Sequence, residues 1–433
     1  MGDELFDDVN RQDAADDVLD GEVRLETANR TQVELTPTDL EGLLPPGHAA
    51  RLVWRFVEGL DLSAFTAPIR SRVGRAGRPA IDPQILVALW LYATIDGVGS
   101  AREVDRLCYA HDAYRWLRGG VSVNYHTLST FRMAHQAALD DLLTQSITVL
   151  LNKQVVTLNR ITQDGTKIRA SAGVRSFKRG ERLRACRQIA RQQVARTKAE
   201  ADGAAPARRA AAQRRAAAEH LARVEEALAQ LPDVEAAKER RRSRSVAKVS
   251  VTDPDARVMK LMDGGFRPAY NVQFATDMDS HVIVGVAVTN EGADGGQLPP
   301  MLAQVEARTG RAPTAALADG GYVSLAAIEA AATRGVTLYM PYPNRPTAPG
   351  AGTTRAPDPA VAAWRARMAT AEAQTTYQAR AGTAERVNAD GRTHRTLNAL
   401  GVRGLRKVHT WVLWVAVAHN LMRAMEIIPH QMM

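Results

Sequence analysis

Apolar side chains recur at helical spacing through most of the first third of the chain. After Asp82-Pro83-Gln84, in ILVALWLYATIDGV, Leu86, Leu89, Trp90 and Ala93 share one face of a 3.6-residue repeat. Thr36-Pro37-Thr38-Asp39 offers cap residues before an apolar run. Ser100 can cap AREVDRLCYAHDAYRWL, and Gly119-Gly120 ends it. Asn124-Tyr125-His126-Thr127 then leads into LSTFRMAHQAAL. Residues 35–150 are therefore expected to form a helical domain. Helix, turn and helix suit a reader of the DNA major groove, and a plain helical bundle gives the same pattern.

The period shortens near residue 155. Val155–Leu158 and Arg160–Ile168 read as strand, with β-branched and polar residues alternating. AYNVQFAT (269–276) and HVIVGVAVT (281–289) predict a hairpin, linked by the turn residues Asp277-Met278-Asp279-Ser280. A helix is expected over 295–308, a strand over Ala315–Ala318, a helix over 324–334 and a strand from Val336 to Pro341. A Pro/Gly-rich loop spans about 342–358, and 359–428 reads as mostly helical. Residues 177–245 stand apart as two Ala/Arg/Glu-rich helices broken near Asp202–Pro206. Leu221, Val224, Leu228 and Leu231 form a narrow seam there, suited to a helical hairpin. Without this insertion, the order of strands and helices predicts an α/β domain over 151–428, a mixed sheet covered by helices. That order fits a ribonuclease H-like fold. The acidic, polar stretch 1–34 has little to bury and is expected to be disordered.

Composition narrows the setting. With 45% hydrophobic residues in 433, the chain can bury a large core. Its two cysteines, Cys108 and Cys186, cannot build a disulfide framework, so a reducing cytoplasm is expected. The N-terminus lacks the basic start and apolar stretch of a signal peptide. The most apolar run, Trp411 to Leu421, is too short for a span of about 20 residues. No membrane association is expected. The net charge is +9, yet residues 175–248 hold 20 Lys or Arg against 9 Asp or Glu, which leaves the remainder slightly acidic. Basic excess in one segment suits a surface that meets a polyanion, or a solvated helical face.

Two aspartates carry the candidate chemistry. Asp164 and Asp319 each close an apolar strand-like run, and a glycine follows each. Either alone reads equally well as a turn residue. At the ends of adjacent strands they would converge on one edge of a sheet and repel unless a cation lay between them. Their oxygens suit Mg²⁺ or Mn²⁺. Two such ions roughly 3.5–4 Å apart activate a water or a 3′-hydroxyl and stabilise the leaving oxygen of a phosphodiester. A third carboxylate is expected from a helix facing that edge. Glu385 in YQARAGTAERVNADGR is the candidate, with Tyr377 and Arg380 before it and Arg392 after it to hold phosphate. Glu372 is its rival and lacks those flanking residues. Asp294 reads as a helix cap, Asp253 and Asp255 as turn residues, and His281, His394 and His419 as structural. No phosphate-binding Walker loop or dinucleotide-binding glycine fingerprint is present, so ATP or NAD chemistry has no support.

With these residues in view, the chain resembles the DDE transposases of bacterial insertion sequences, most nearly the insertion-sequence group numbered eleven-eighty-two. The resemblance covers roughly 35–425. It rests on Gly77-Arg78-Pro79 with Asp82-Pro83, on GVGSAREVDRLCYAHDAYRWLRGG and on His126–Arg132. It continues at Asp164-Gly165-Thr166-Lys167, Thr252–Arg257, Tyr270–Gln273 and Ala318–Tyr322. It ends with Tyr377, Arg380, Glu385 and Arg392 at family spacing, then Arg403–Val408 and Ala418–Leu421. It implies that Asp164, Asp319 and Glu385 hold two Mg²⁺ or Mn²⁺ ions, and that Lys167, Tyr377, Arg380 and Arg392 meet DNA phosphates. It further implies a DNA-binding helical domain, cleavage at terminal inverted repeats, strand transfer into target DNA, and a homodimer or larger synaptic complex. Some relatives carry an aromatic-glycine pair shortly after the glutamate, where this chain has Val387-Asn388-Ala389. A domesticated nuclease and a non-catalytic repressor of transposition are the alternative readings.

Overall fold

The computed structural model describes residue 31 and residues 39–199, 207–242, 245–341 and 358–428, apart from 73, 75, 77 and 241. The 1–34 stretch except residue 31, the break near 202–206 and nearly all of the 342–358 loop fall outside the described residues.

Seven helices open the described chain. They are α1 (Ala49–Glu58), α2 (Ser63–Thr66), α3 (Pro83–Ile95), α4 (Ala101–Ala110), α5 (Asp112–Arg118), α6 (Tyr125–Ala134) and α7 (Gln136–Asn152). Asp82 starts α3 by accepting from Gln84 N at 2.8 Å, with Pro83 in the first turn. The one-faced pattern expected of α3 is too narrow. Ile85, Val87 and Leu91 are buried along with Leu86, Leu89 and Trp90, because α3 is enclosed by α1, α5, α6 and a C-terminal helix.

The chain then runs through β1 (Arg160–Arg169), β2 (Phe177–Lys178), α8 (Gly180–Ala199), α9 (Ala207–Arg240), β3 (Val249–Ser250), β4 (Arg257–Lys260), β5 (Phe266–Asp277) and β6 (Ile283–Thr289). It continues with α10 (Leu298–Thr309), β7 (Ala315–Leu317), α11 (Leu325–Thr333), β8 (Thr337–Tyr339), α12 (Pro359–Met368), α13 (Ala371–Gln378), α14 (Arg380–Thr393) and α15 (Leu405–Ile427). The result is a mixed α/β architecture. β5 is the long antiparallel neighbour of β1, and its far edge is shared by β4 and β6. On the other side β1, β7 and β8 run parallel.

Three local expectations need correction. Val155–Leu158 is not a strand. Leu158 takes a left-handed φ of 55°, and its N–H goes to Asp277 Oδ1 at 3.0 Å instead of to a ladder. β4 and the small β2–β3 pair had no clear alternating signal, being four and two residues long. The Thr252–Arg257 segment is more than a turn. Asp253 accepts from Gly404 N and Asp255 from Leu405 N, so the two carboxylates sit on the N-terminus of α15, where the helix dipole favours them.

α15 ties the layers together, packing on α3, α7 and β6. Asn420 mimics a strand edge, accepting from Ile283 N and donating to Ile283 O, both at 2.8 Å. Arg132 from α6 is 3% exposed, with its guanidinium 4.2 Å from the Trp90 ring centre and 3.4 Å from that of Trp411. It donates to Gly99 O, and burial pushes its pKa down to about 9. A cation between two aromatic faces is stabilised by about 2 kcal/mol or more when desolvated. Arg132 is thus a core residue.

The insertion is a helical hairpin, α8 against α9. Leu183, Ala227, Leu231, Val234, Ala247 and Val249 give it a small core of its own. Val224 and Leu231 of the expected seam are buried, and Leu221 and Leu228 are half-buried. Arg182, Arg184, Arg214 and Arg215 project to solvent. The β2–β3 pair closes the base, with Phe177 opposite Ser250.

Candidate active site

The site forms where β1 outruns β7. Thr162 pairs with Leu317, the last residue of β7, and Asp164 and Asp319 each lie two residues further on, near enough for the charge of Asp319 to act on Asp164. Asp164 does not end its strand, as the sequence suggested. β1 continues to Arg169 because β5 pairs with it through Ala269. It is β7 that stops, and Asp319 turns the chain there, its Oδ1 accepting from Gly321 N at 2.7 Å.

α14 packs across β1 and β5 and brings two side chains onto Asp164. Arg380 Nη1 lies 3.4 Å from Asp164 Oδ1, and Asn388 Nδ2 donates to Asp164 Oδ2 at 2.7 Å. Arg380, Ala384 and Asn388 follow one another at four-residue spacing, which is one face of the helix. Burial drives the Asp164 carboxyl above its ordinary range. Arg380 pulls it back, while the charges of Asp319 and Asp294 push it further up.

The opposite face of β1 carries a polar network. Gly165 sits across from Gln273, and Lys167 across from Asn271. Asp294 accepts from Asn271 Nδ2 at 2.7 Å and from Gln273 Nε2 at 2.8 Å. The Tyr322 hydroxyl donates to Gln273 Oε1, and Gln163 Nε2 donates to the same oxygen at 3.0 Å. Asp294 is therefore not the cap it was expected to be; α10 begins after Gln297 without a side-chain cap. Its position explains Gly165, and the Asp319 carboxylate explains Gly321. A Cβ on Gly165 would collide with Asp294 Oδ1 and Gln273 Nε2, and one on Gly321 would meet Asp319 Oδ1 at 2.9 Å.

Glu385 lies on α14 one turn before Asn388 and is exposed. Residues three apart are neighbours on a helix surface, so it borders the Asn388 face. Tyr377 is 5.9 Å from the Arg380 guanidinium, ring centre to Cζ. Arg392 donates to Asn388 O at 3.2 Å and also contacts Met262 Sδ. Lys167, half-buried, is three residues from Asp164 and hence on the other face of β1. Glu372 lies in the first turn of α13. His419 is structural in its contacts, joining Asp390 Oδ2 at 2.8 Å to His281 O at 2.9 Å. Asn388 and Asp294 were not singled out as site residues. The helical spacing of Asn388 from Arg380 was the available signal for the first; the second needed the β6–α10 connection in three dimensions.

Divalent cations can be tested against this donor set. Asp164 and Asp319 fit: they are hard oxygen ligands near enough that each charge acts against the other, a repulsion that a cation relieves. Glu385 carries the same type of oxygen on the exposed side of α14. Among the described residues no three acidic, His or Cys side chains are gathered tightly enough to hold an ion.

Two family models match the chain. Residues 352–425 match a transposase DDE domain, and residues 38–134 match a transposase domain, DUF772. These matches indicate a transposase. The DDE match contains Tyr377, Arg380, Glu385 and Arg392; the DUF772 match spans α1 to α6. Transposase families act on DNA, and the DDE family generally uses divalent metal ions. No curated protein and no solved structure matches the chain. Among the described residues no helix is long and apolar enough to cross a membrane.

Proposed function

We propose that this chain is a DDE transposase of the insertion-sequence group numbered eleven-eighty-two, which cleaves DNA at the ends of its element and joins the 3′ ends to target DNA. The observation that supports this reading is the parallel β1–β7 pairing that ends two residues before Asp164 and Asp319, with Arg380 and Asn388 of α14 reaching Asp164. The strand order, an antiparallel hairpin beside three parallel strands, supports a ribonuclease H-like catalytic domain over 151–428. Residues 35–150 would bind the terminal inverted repeats. Function in a bacterial cytoplasm, as a dimer or larger synaptic assembly, follows from the same reading.

Asp164, Asp319 and Glu385 would hold Mg²⁺ or Mn²⁺, which when bound supplies charge for the attacking and leaving oxygens of an in-line displacement. The chain's own contribution is positional. Arg380 offsets the Asp164 charge in the free protein and can turn to a phosphate oxygen as DNA enters, a bond suited to a guanidinium. Tyr377 borders that guanidinium. Asp294, fixed by Asn271 and Gln273, keeps β1 and the Asp319 turn in register from behind. The basic hairpin extends the surface on which duplex phosphates can lie.

The test is incubation with the flanking inverted-repeat DNA and Mg²⁺, mapping of cut positions, and a joining assay with pre-cleaved ends. Cuts at the element ends and joined products are expected. Cutting without joining would make the protein a domesticated nuclease. Tight end binding without any Mg²⁺-dependent cut would make it a repressor.

A further inference from the structure

Asn388 occupies an unusual place beside the aspartates. It is 5% exposed, although it is a polar residue on an otherwise polar helix. Its Nδ2 is committed to Asp164 Oδ2 at 2.7 Å, and its Oδ1 is buried with no hydrogen-bond partner. Reversing the amide would turn an oxygen onto a carboxylate, so the donor assignment follows from the partner. An unpaired buried carbonyl carries a desolvation cost. That cost is removed if the oxygen faces a cation held by Asp164.

We infer that Asn388 is a fourth member of the cation site: Nδ2 fixes the Asp164 carboxylate and Oδ1 serves as a neutral oxygen donor toward the divalent ion. The inference rests on the proposed metal role of Asp164 and Asp319. The alternative is that Asn388 merely fills space under α14. A neutral amide adds an oxygen without adding to the repulsion between two aspartates, which a fourth carboxylate would increase. Glu385, exposed one turn earlier, can then complete the set from the solvent side.

The experiment measures Mn²⁺ binding to the full chain by the loss of free-ion electron paramagnetic resonance signal, with thermal melting in parallel. Wild type, Asp319→Ala, Asn388→Leu and Asn388→Asp are compared. Leucine keeps the volume and removes both polar atoms. Loss of the bond that holds a metal-binding carboxylate alone typically weakens metal affinity about 10–100-fold, so Asn388→Leu, which also removes Oδ1, is expected to bind Mn²⁺ at least tenfold more weakly. Asn388→Asp is expected to melt lower without metal and to regain wild-type or tighter binding with it. Should Asn388→Leu fail to fold, the aspartate variant decides, and weaker binding than wild type overturns the inference. If Asn388→Leu binds as wild type does while Asp319→Ala does not, Asn388 is only structural and the metal reading stands. If Asp319→Ala binds like wild type, the metal reading itself falls and this inference with it.

Discussion

Arg380 Nη1 rests 3.4 Å from Asp164 Oδ1, so a side chain expected at a phosphate is paired, in the free protein, with a side chain expected at a metal. Both are largely shielded from solvent, at 17% and 22% side-chain exposure, so the pairing is weakly screened. The guanidinium and a divalent cation compete for the same carboxylate. Arg380→Ala is expected to bind Mn²⁺ more tightly and yet cleave end DNA at least about 100-fold more slowly, the scale of losing one transition-state donor. Titration with Mn²⁺ and single-turnover cleavage check the two halves separately; unchanged cleavage would remove Arg380 from the phosphate.

Gly165 is required for want of space. Its missing Cβ leaves room for Asp294 Oδ1 and Gln273 Nε2 directly against β1. Gly165→Ala must push that network away, and overpacking of this kind costs about 1–3 kcal/mol. The variant is expected to melt several degrees lower and to lose cleavage, because β1 carries Asp164. Wild-type melting would show that the network yields freely.

His409 gives stability a pH dependence. Burial lowers its pKa, only partly offset by Asp140, and Gln136 Nε2 meets Nδ1 at 3.1 Å. Burial also lowers the pKa of His48, His135 and His281. For such groups the unfolded state takes up protons first as pH falls. Stability is therefore full above the unfolded value of about 6.5 and declines below it. The melting temperature is expected to drop between pH 7.5 and 5.5, and His409→Gln to flatten that slope. A slope unaffected by the substitution would assign the effect to the other three.

The basic hairpin can be removed without opening the main core, since its apolar residues bury against one another and against Ala247 and Val249. A chain in which a two-residue Asn-Gly turn links Lys178 to Val249, which already face each other in β2–β3, is expected to fold. Its binding to end DNA should show a shallower dependence on salt, because each lost phosphate contact lowers the slope by about 0.9. An unchanged slope would make α8 and α9 a subunit contact.

The sequence carried the large elements well, because alternation in AYNVQFAT and HVIVGVAVT and the long Ala/Arg-rich helices are local signals. It misplaced Asp164 at a strand end, because the end belongs to β7 and only pairing reveals which strand is longer. It assigned Asp294 to capping, since Asn271 and Gln273 lie about twenty residues away and cannot be seen as its partners in one dimension. Arg132 read as part of a helical motif shared with DNA-binding relatives, whereas its two tryptophans come from positions 90 and 411. Arg380 and Glu385 stand out by spacing, but that Arg380 lies against Asp164 comes from the packing of α14 on β1. Asn388 was visible only as a departure, and its hydrogen bond to Asp164 needed the packing of α14 on β1.

Asp319 and Asp164 are expected to act together on one phosphodiester. The most direct measurement compares wild type with Asp319→Ala on labelled inverted-repeat DNA, scoring end binding and Mg²⁺-dependent cleavage in the same reactions. Unchanged binding and no cleavage are expected of the variant. Cleavage by Asp319→Ala at the wild-type position would contradict this expectation.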